Sequence, residues 1–167
     1  LRTVEQLRGS GRNAIILGGM IGPFSLAGRL FGVSEALAET AGDPGAMHAL
    51  LAKATTFLSA YAAAFKAAGA HGLVIAEPTA GLMSPQSAAI FSSPYVKQIR
   101  EAVEDASFAV ILHNCGARIS HLQATLASGA HILHFGKPMD IVSALAQVPE
   151  GTVLCGNLDP SEVFVGL

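Results

Sequence analysis

Cysteine is almost missing from this chain: two residues in 167, Cys115 and Cys155, are too few for a disulfide framework. No basic-then-apolar signal segment opens the sequence, so a reducing cytoplasm is the expected compartment. Positive charge is scarce as well. Ten Lys and Arg are spread without a cluster, and the net charge is -2, which leaves no electrostatic footprint for nucleic acid. Long apolar runs are absent too, because Gly, Pro, His and charged residues interrupt every stretch before the roughly 18 to 20 residues a membrane helix needs. Three common nucleotide or nucleophile motifs are also lacking. GGMIGP has not the spacing of a dinucleotide fingerprint, and neither a phosphate-binding loop nor a GxSxG elbow occurs.

What the chain does have is apolar residues: 51% of the sequence is hydrophobic and the mean hydropathy is +0.48, unusually greasy for its size. Its length suits one domain with a sizeable core, taken as residues 1–167. The most informative stretch is Phe108 to Gly116, FAVILHNCG. Its apolar part does not alternate, as in a strand of a parallel sheet buried on both faces. Functional groups gather at the C-terminal ends of such strands. In a strand His113 and Cys115 share one face while Asn114 turns to the other. A borderline and a soft ligand converging in this way suit zinc or another thiophilic metal. Alone, the same residues also describe a core strand that ends in a buried histidine and a buried thiol.

Around this stretch the chain alternates strand and helix. Strands are expected over Asn13 to Met20, Gly72 to Glu77, Phe108 to Gly116, Ile132 to Phe135 and Thr152 to Cys155. A helix is expected around Phe24 to Leu30, then a polar connection from Glu39 to Gly45. The longest helix covers Ala46 to Ala68, and a further one, opened by Ser84-Pro85 and bent at Pro94, runs to Asp105. Shorter helices follow at Ile119 to Ala127 and Met139 to Gln147. The segment before Gly11 reads as the tail of a helix and Pro160 to Leu167 as one just started, so both ends look cut. Five strand-then-helix units imply an α/β fold with a parallel sheet, either doubly wound or a (β/α)8 barrel of the TIM type.

The strand ends carry the candidate chemistry. Glu77 follows the second strand, where apolar sequence gives way to a carboxylate and a stiff proline; it is either a solvated loop carboxylate or a site residue. In a barrel the ends share one mouth, so Glu77, His113 and Cys115 are expected to meet around one ion. Cys155 reads as a core thiol, with a ligand role as the alternative. His121, His131 and His134 read as surface or core residues, and His48 and His71 as surface.

Taken in order, GPFSLAGRLFG, AAGAHGLVIAEPTAGLMSPQ with the later SPYVKQI, ILHNCG, ASGAHILHFG and LCGNLDP resemble the uroporphyrinogen decarboxylase superfamily, and within it the methylcobalamin:coenzyme M methyltransferase branch. The resemblance spans nearly the whole chain. It implies a (β/α)8 barrel of about twice this length, of which five units are present here. The decarboxylase branch carries a tyrosine where this chain has Arg29 and a serine where it has Pro78. The methyltransferase branch matches at Glu77, His113 and Cys115, with a further cysteine that would lie beyond Leu167. Cys155 does not occupy that position.

The resemblance therefore implies a zinc-dependent enzyme that moves a methyl group from methylcobalamin, held on a separate corrinoid protein, to a small-molecule thiol or similar acceptor. His113 and Cys115 would be metal ligands and Glu77 the exchangeable ligand and catalytic carboxylate. The apolar loops Gly22-Pro23-Phe24 and Ala80-Gly81-Leu82-Met83 would dock the partner. A porphyrinogen decarboxylase and a catalytically silent corrinoid- or partner-binding fragment are the competing readings. The 167 residues by themselves are expected to be inactive, to bind zinc weakly, and to assemble with copies of themselves to cover an open sheet.

Overall fold

A computed structural model describes residues 1–11 and 13–165, apart from the side chain of Phe164. Five parallel strands form one sheet in sequential order: β1 (Leu17–Ile21), β2 (Gly72–Ala76), β3 (Ala109–Asn114), β4 (Ile132–Phe135) and β5 (Val153–Cys155). The helices are α1 (Arg2–Gly9), α2 (Pro23–Phe31), α3 (Val33–Gly42), α4 (Pro44–Ala67), α5 (Pro85–Phe91), α6 (Ser93–Val103), α7 (Leu122–Leu126), α8 (Ile141–Leu145) and α9 (Pro160–Val165). The expected continuation of the last helix over Gly166 and Leu167 lies outside the described residues.

Local chemistry explains most of the boundaries. Asp43 caps α4 by accepting a hydrogen bond from the Ala46 N–H at 2.9 Å, with Pro44 in the first turn. Gly69 leaves that helix at φ +93°, a conformation glycine alone adopts without strain. The polar connection expected from Glu39 is instead the last turn of α3, and only Asp43 separates α3 from α4. The single bent helix expected after Ser84 is two helices that break at Ser92. Pro94 has no N–H to donate and its ring opposes the preceding turn. Ser93 makes use of the break, donating its hydroxyl to the Ala88 and Ala124 carbonyls at 3.1 and 2.6 Å.

The helices cover one face of the sheet only. Leu73 and Ile75 of β2, Val110 and Leu112 of β3, and Leu133 and Phe135 of β4 are buried against Leu58, Phe65, Val96, Ile99 and Leu122. Their neighbours Val74, Ala76, Ile111, His113, Ile132 and His134 lie on the other face, half-buried. This one-sided cover decides between the two expected architectures in favour of the barrel type, whose helices form an outer ring only. It also corrects the reading of β3 as buried on both faces. The absence of alternation in its sequence reflects apolar residues on a second face that no helix among the described residues covers. A second cluster, built around Phe24, Met47, Leu51, Phe91 and Tyr95, seals the ends of α2, α4 and α6.

Candidate functional site

At the C-terminal ends of β3 and β4 the uncovered face holds an open cavity of about 690 Å³, lined among others by His113, Cys115, His134, Lys137, Pro138 and Leu158. Period-2 alternation along β3 delivers His113 and Cys115 to it together, as their spacing predicts. Cys115 is exposed. The Nδ1 of His113 is buried without a hydrogen-bond partner, an unusual state for an imidazole nitrogen and one that suits a metal donor. Burial, and secondarily the neighbouring His134, lowers the pKa of His113, so a neutral ring with a free lone pair predominates at neutral pH.

His134 is the residue the sequence reading passed over. The register pairs His113 with His134 and His134 with Cys155, which puts three ligand-type side chains in one row across three strands. The rings of His113 and His134 lie 4.6 Å apart, inclined by 40°. Cys155 ends this row half-buried, not deep in the core. The signal was the alternation of Ile132 with His134, the same period that singled out His113 and Cys115.

The rim is held by polar contacts. Asn157 donates through its carboxamide to the carbonyls of Gly136, Lys137 and Met139 at 3.3, 3.4 and 2.6 Å, which latches the β4–α8 loop to the end of β5. Lys137 pairs with Asp159 and, at 2.7 Å, with Glu162. These two carboxylates hold its ammonium above the ordinary lysine range.

Glu77 is not part of this cavity. Ala76 is the residue that pairs with His113, so the next side chain turns to the helix-covered face, where Glu77 is 1% exposed. Its carboxylate accepts the N–H groups of Phe24 at 3.1 Å and Ser25 at 2.6 Å, the free donors of the first turn of α2. Burial raises its pKa from 4.5 to about 7, against the lowering effect of the hydrogen bonds from Ser25, Phe24 and Ser92. The small enclosed cavity beside it contains Ser92, Asn114, His121 and Thr125, and His121 there shares a hydrogen bond with the Met83 carbonyl at 3.0 Å. The expected meeting of Glu77 with His113 and Cys115 is therefore corrected: the sheet itself stands between them. Among the described residues no three His, Cys, Asp or Glu side chains converge closely enough to hold an ion as they stand.

Two smaller expectations also change. Pro23, Phe24, Ala80 and Met83, read as docking loops, are buried, and Leu82 alone of the apolar side chains named there is well exposed. His48, read as surface, is half-buried, with its ring stacked on Phe91 at 4.8 Å and its Nδ1 2.6 Å from the Tyr95 hydroxyl.

The sequence profile of the uroporphyrinogen decarboxylase (URO-D) family matches residues 1–166. The chain belongs to this family. Among its relatives is the methylcobamide:CoM methyltransferase MtbA of Methanosarcina mazei, 32% identical over 156 residues that span 92% of this chain and 45% of the relative. The uroporphyrinogen decarboxylase of Desulfotalea psychrophila is 31% identical over 168 residues, 96% of this chain and 48% of that protein. A solved methyltransferase from Methanosarcina mazei superposes with a TM-score of 0.84 at 26% identity, covering 93% of this chain and 46% of its own. The chain thus spans about half the length of the URO-D relatives it matches. Its five βα units correspond to part of a (β/α)8 barrel. Among the described residues no helix is long and apolar enough to cross a membrane.

Proposed function

We propose that this chain supplies the metal-binding wall of a zinc-dependent methyltransferase, which takes a methyl group from a methylated corrinoid on a partner protein and passes it to a thiol or similar acceptor. The observation that carries this reading is the pair His113 and Cys115, which face one open cavity with the His113 Nδ1 buried and unpartnered. Methyltransferases among the relatives that align over most of the chain support it.

His113 and Cys115 would hold the zinc. Bound there, the ion supplies a Lewis acid that keeps an incoming thiol in its nucleophilic thiolate form at neutral pH. The neutral imidazole of His113 presents its lone pair without first losing a proton. Cys115, at the exposed rim, gives up its thiol proton to solvent when it ligates. The loop Gly136 to Met139, clamped by Asn157, holds one side of the cavity at fixed width and keeps the approach to Cys115 open. Glu77 acts from behind the sheet by fixing the start of α2, and takes no part in ligation.

Zinc analysis of the purified full-length protein after exhaustive dialysis tests this. His113→Ala and Cys115→Ser are expected to lose bound zinc and methyl transfer to thiols together, whereas Glu77→Gln keeps its zinc. Retention of zinc by both ligand variants, or turnover of a porphyrinogen without any metal, would overturn the proposal. The latter result would favour the decarboxylase chemistry of the family's other relatives.

A further inference from the structure

The geometry points to Asn114 as the positioning residue of Cys115: its side chain closes a turn around the thiol-bearing residue and anchors that turn in the polar cavity behind the sheet. The inference rests on the role given to Cys115 above and concerns how its side chain is aimed. β3 ends at Asn114, and Cys115 and Gly116 form the turn that leaves it. A residue past the end of a strand has lost the ladder that fixes its backbone, so the direction of its side chain needs another restraint. That restraint is the Asn114 carboxamide, whose Oδ1 accepts the Gly116 N–H at 3.1 Å. The bond spans two residues and encloses Cys115 in a small ring, an Asx turn.

Asn114 is itself held. Strand alternation puts it on the helix-covered face, away from His113 and Cys115, where it is 6% exposed. There it lines, with Glu77, Ser92, His121 and Thr125, an enclosed cavity of about 20 Å³, room for about one water. Two glycines from other elements close on the turn. A Cβ on Gly81, in the short segment Pro78–Leu82 after β2, would fall 2.7 Å from the Asn114 Oδ1 and 2.9 Å from the Cα of Gly116, and one on Gly136 would fall 3.0 Å from the Cα of Cys115. Contacts this close leave the turn little room to shift. The exposed thiol therefore projects from a fixed backbone into the cavity it shares with His113, and a reacting group is effective only when its position is held in this way. The three residues His113, Asn114 and Cys115 thus divide their work between two faces of one strand end.

The test compares Asn114→Ala with Asn114→Ser in the metal-free full-length protein. Both remove nearly the same volume, but the serine hydroxyl can accept the same N–H, so the difference between them reads the turn and not the cavity. Hydrogen exchange at the Gly116 amide and alkylation of Cys115 by iodoacetamide are followed by mass spectrometry, with Cys155 as internal standard. Asn114→Ala is expected to speed exchange about tenfold, the worth of one hydrogen bond, and to alkylate faster at Cys115 because the released thiol samples more orientations. Asn114→Ser should stay close to the wild type in both, although the two variants lose similar melting temperature. In the zinc-loaded enzyme Asn114→Ala should lower kcat for methyl transfer about tenfold with the KM of the thiol unchanged, and Asn114→Ser should recover most of it. Alkylation at Cys115 that is alike in the two variants would overturn the inference whatever their turnover. Should Asn114→Ala fail to fold, Gly81→Ala, which pushes on the turn and leaves Asn114 in place, carries the test, and unaltered alkylation there overturns it. A wild-type protein without zinc or methyl transfer would overturn the proposed function alone, since exchange and alkylation decide the role of Asn114 without either.

Discussion

Glu77 shows how one residue of orientation decides a role. It follows β2 directly, and its backbone N–H donates to the His113 carbonyl at 2.7 Å, yet its side chain and that of His113 are on opposite sides of the sheet. A one-residue step in a strand always has this effect. The information was in the sequence. The alternation that united His113 and Cys115, applied to Leu73, Ile75 and Glu77, assigns the carboxylate to the helix side, and applied to Ile132 and His134 it assigns that imidazole to the mouth. The backbone donors of α2 that receive Glu77 were not legible, because they lie 52 and 53 residues away in sequence. Since burial raises its folded pKa to about 7 against 4.5, the folded state keeps a proton that the unfolded chain has lost. Stability is therefore greatest below about pH 4.5 as far as this group is concerned, and falls as pH rises through 7, by roughly 3 kcal/mol in all. Melting temperatures followed from pH 5 to 8 should decline in the wild type by more than in Glu77→Gln, and matching slopes would show that Glu77 does not titrate in this interval.

At the scale of elements, the mouth is assembled by close approach of backbones. A Cβ placed on Gly136 would fall 3.0 Å from the Cα of Cys115 and nearer still to its carbonyl, atoms of a strand end that cannot swing away. Gly136→Ala should therefore push the β4–α8 loop off β3 and cost about 1–3 kcal/mol. Asn157→Ala should cost a similar amount, through three carbonyls that lose their donor. Urea denaturation measures both. Hydrogen exchange distinguishes them from a global effect, since the faster amides should be confined to Gly136–Met139. The order of strands and helices was readable from hydrophobic period and turn residues. The breaks at Ser92 and Asp43 were not, because propensity alone does not say whether a proline bends a helix or divides it, and a polar stretch such as Glu39 to Gly42 is helical here only because α3 packs against α2 and α4.

For the molecule as a whole, the consequential feature is the uncovered side of the sheet. Leu17 and Val153 are 44% and 51% exposed, and Val74, Ile111 and Ile132 stand half-exposed between them. At about 25 cal/mol per Å², covering several hundred Å² of such surface is worth on the order of ten kcal/mol, as much as the stability of a domain. A polypeptide of these 167 residues is accordingly expected to associate with copies of itself at micromolar concentration. Static light scattering reads this directly, and a well-folded monomer there would show that the exposed face is tolerated in water.

The sequential strand order has a further effect, on the time at which each contact becomes possible. Leu17 pairs with Gly72, Gly72 with Ala109, Ile111 with Ile132 and Ile132 with Val153, so each strand's partner is the one that left the ribosome just before it. No strand waits for a later one to be inserted beside it, and the loop to be closed shortens from one pairing to the next until the last two. A nascent chain can therefore zip its sheet in the order in which it is translated, with His113, Cys115 and His134 brought side by side as soon as β4 emerges.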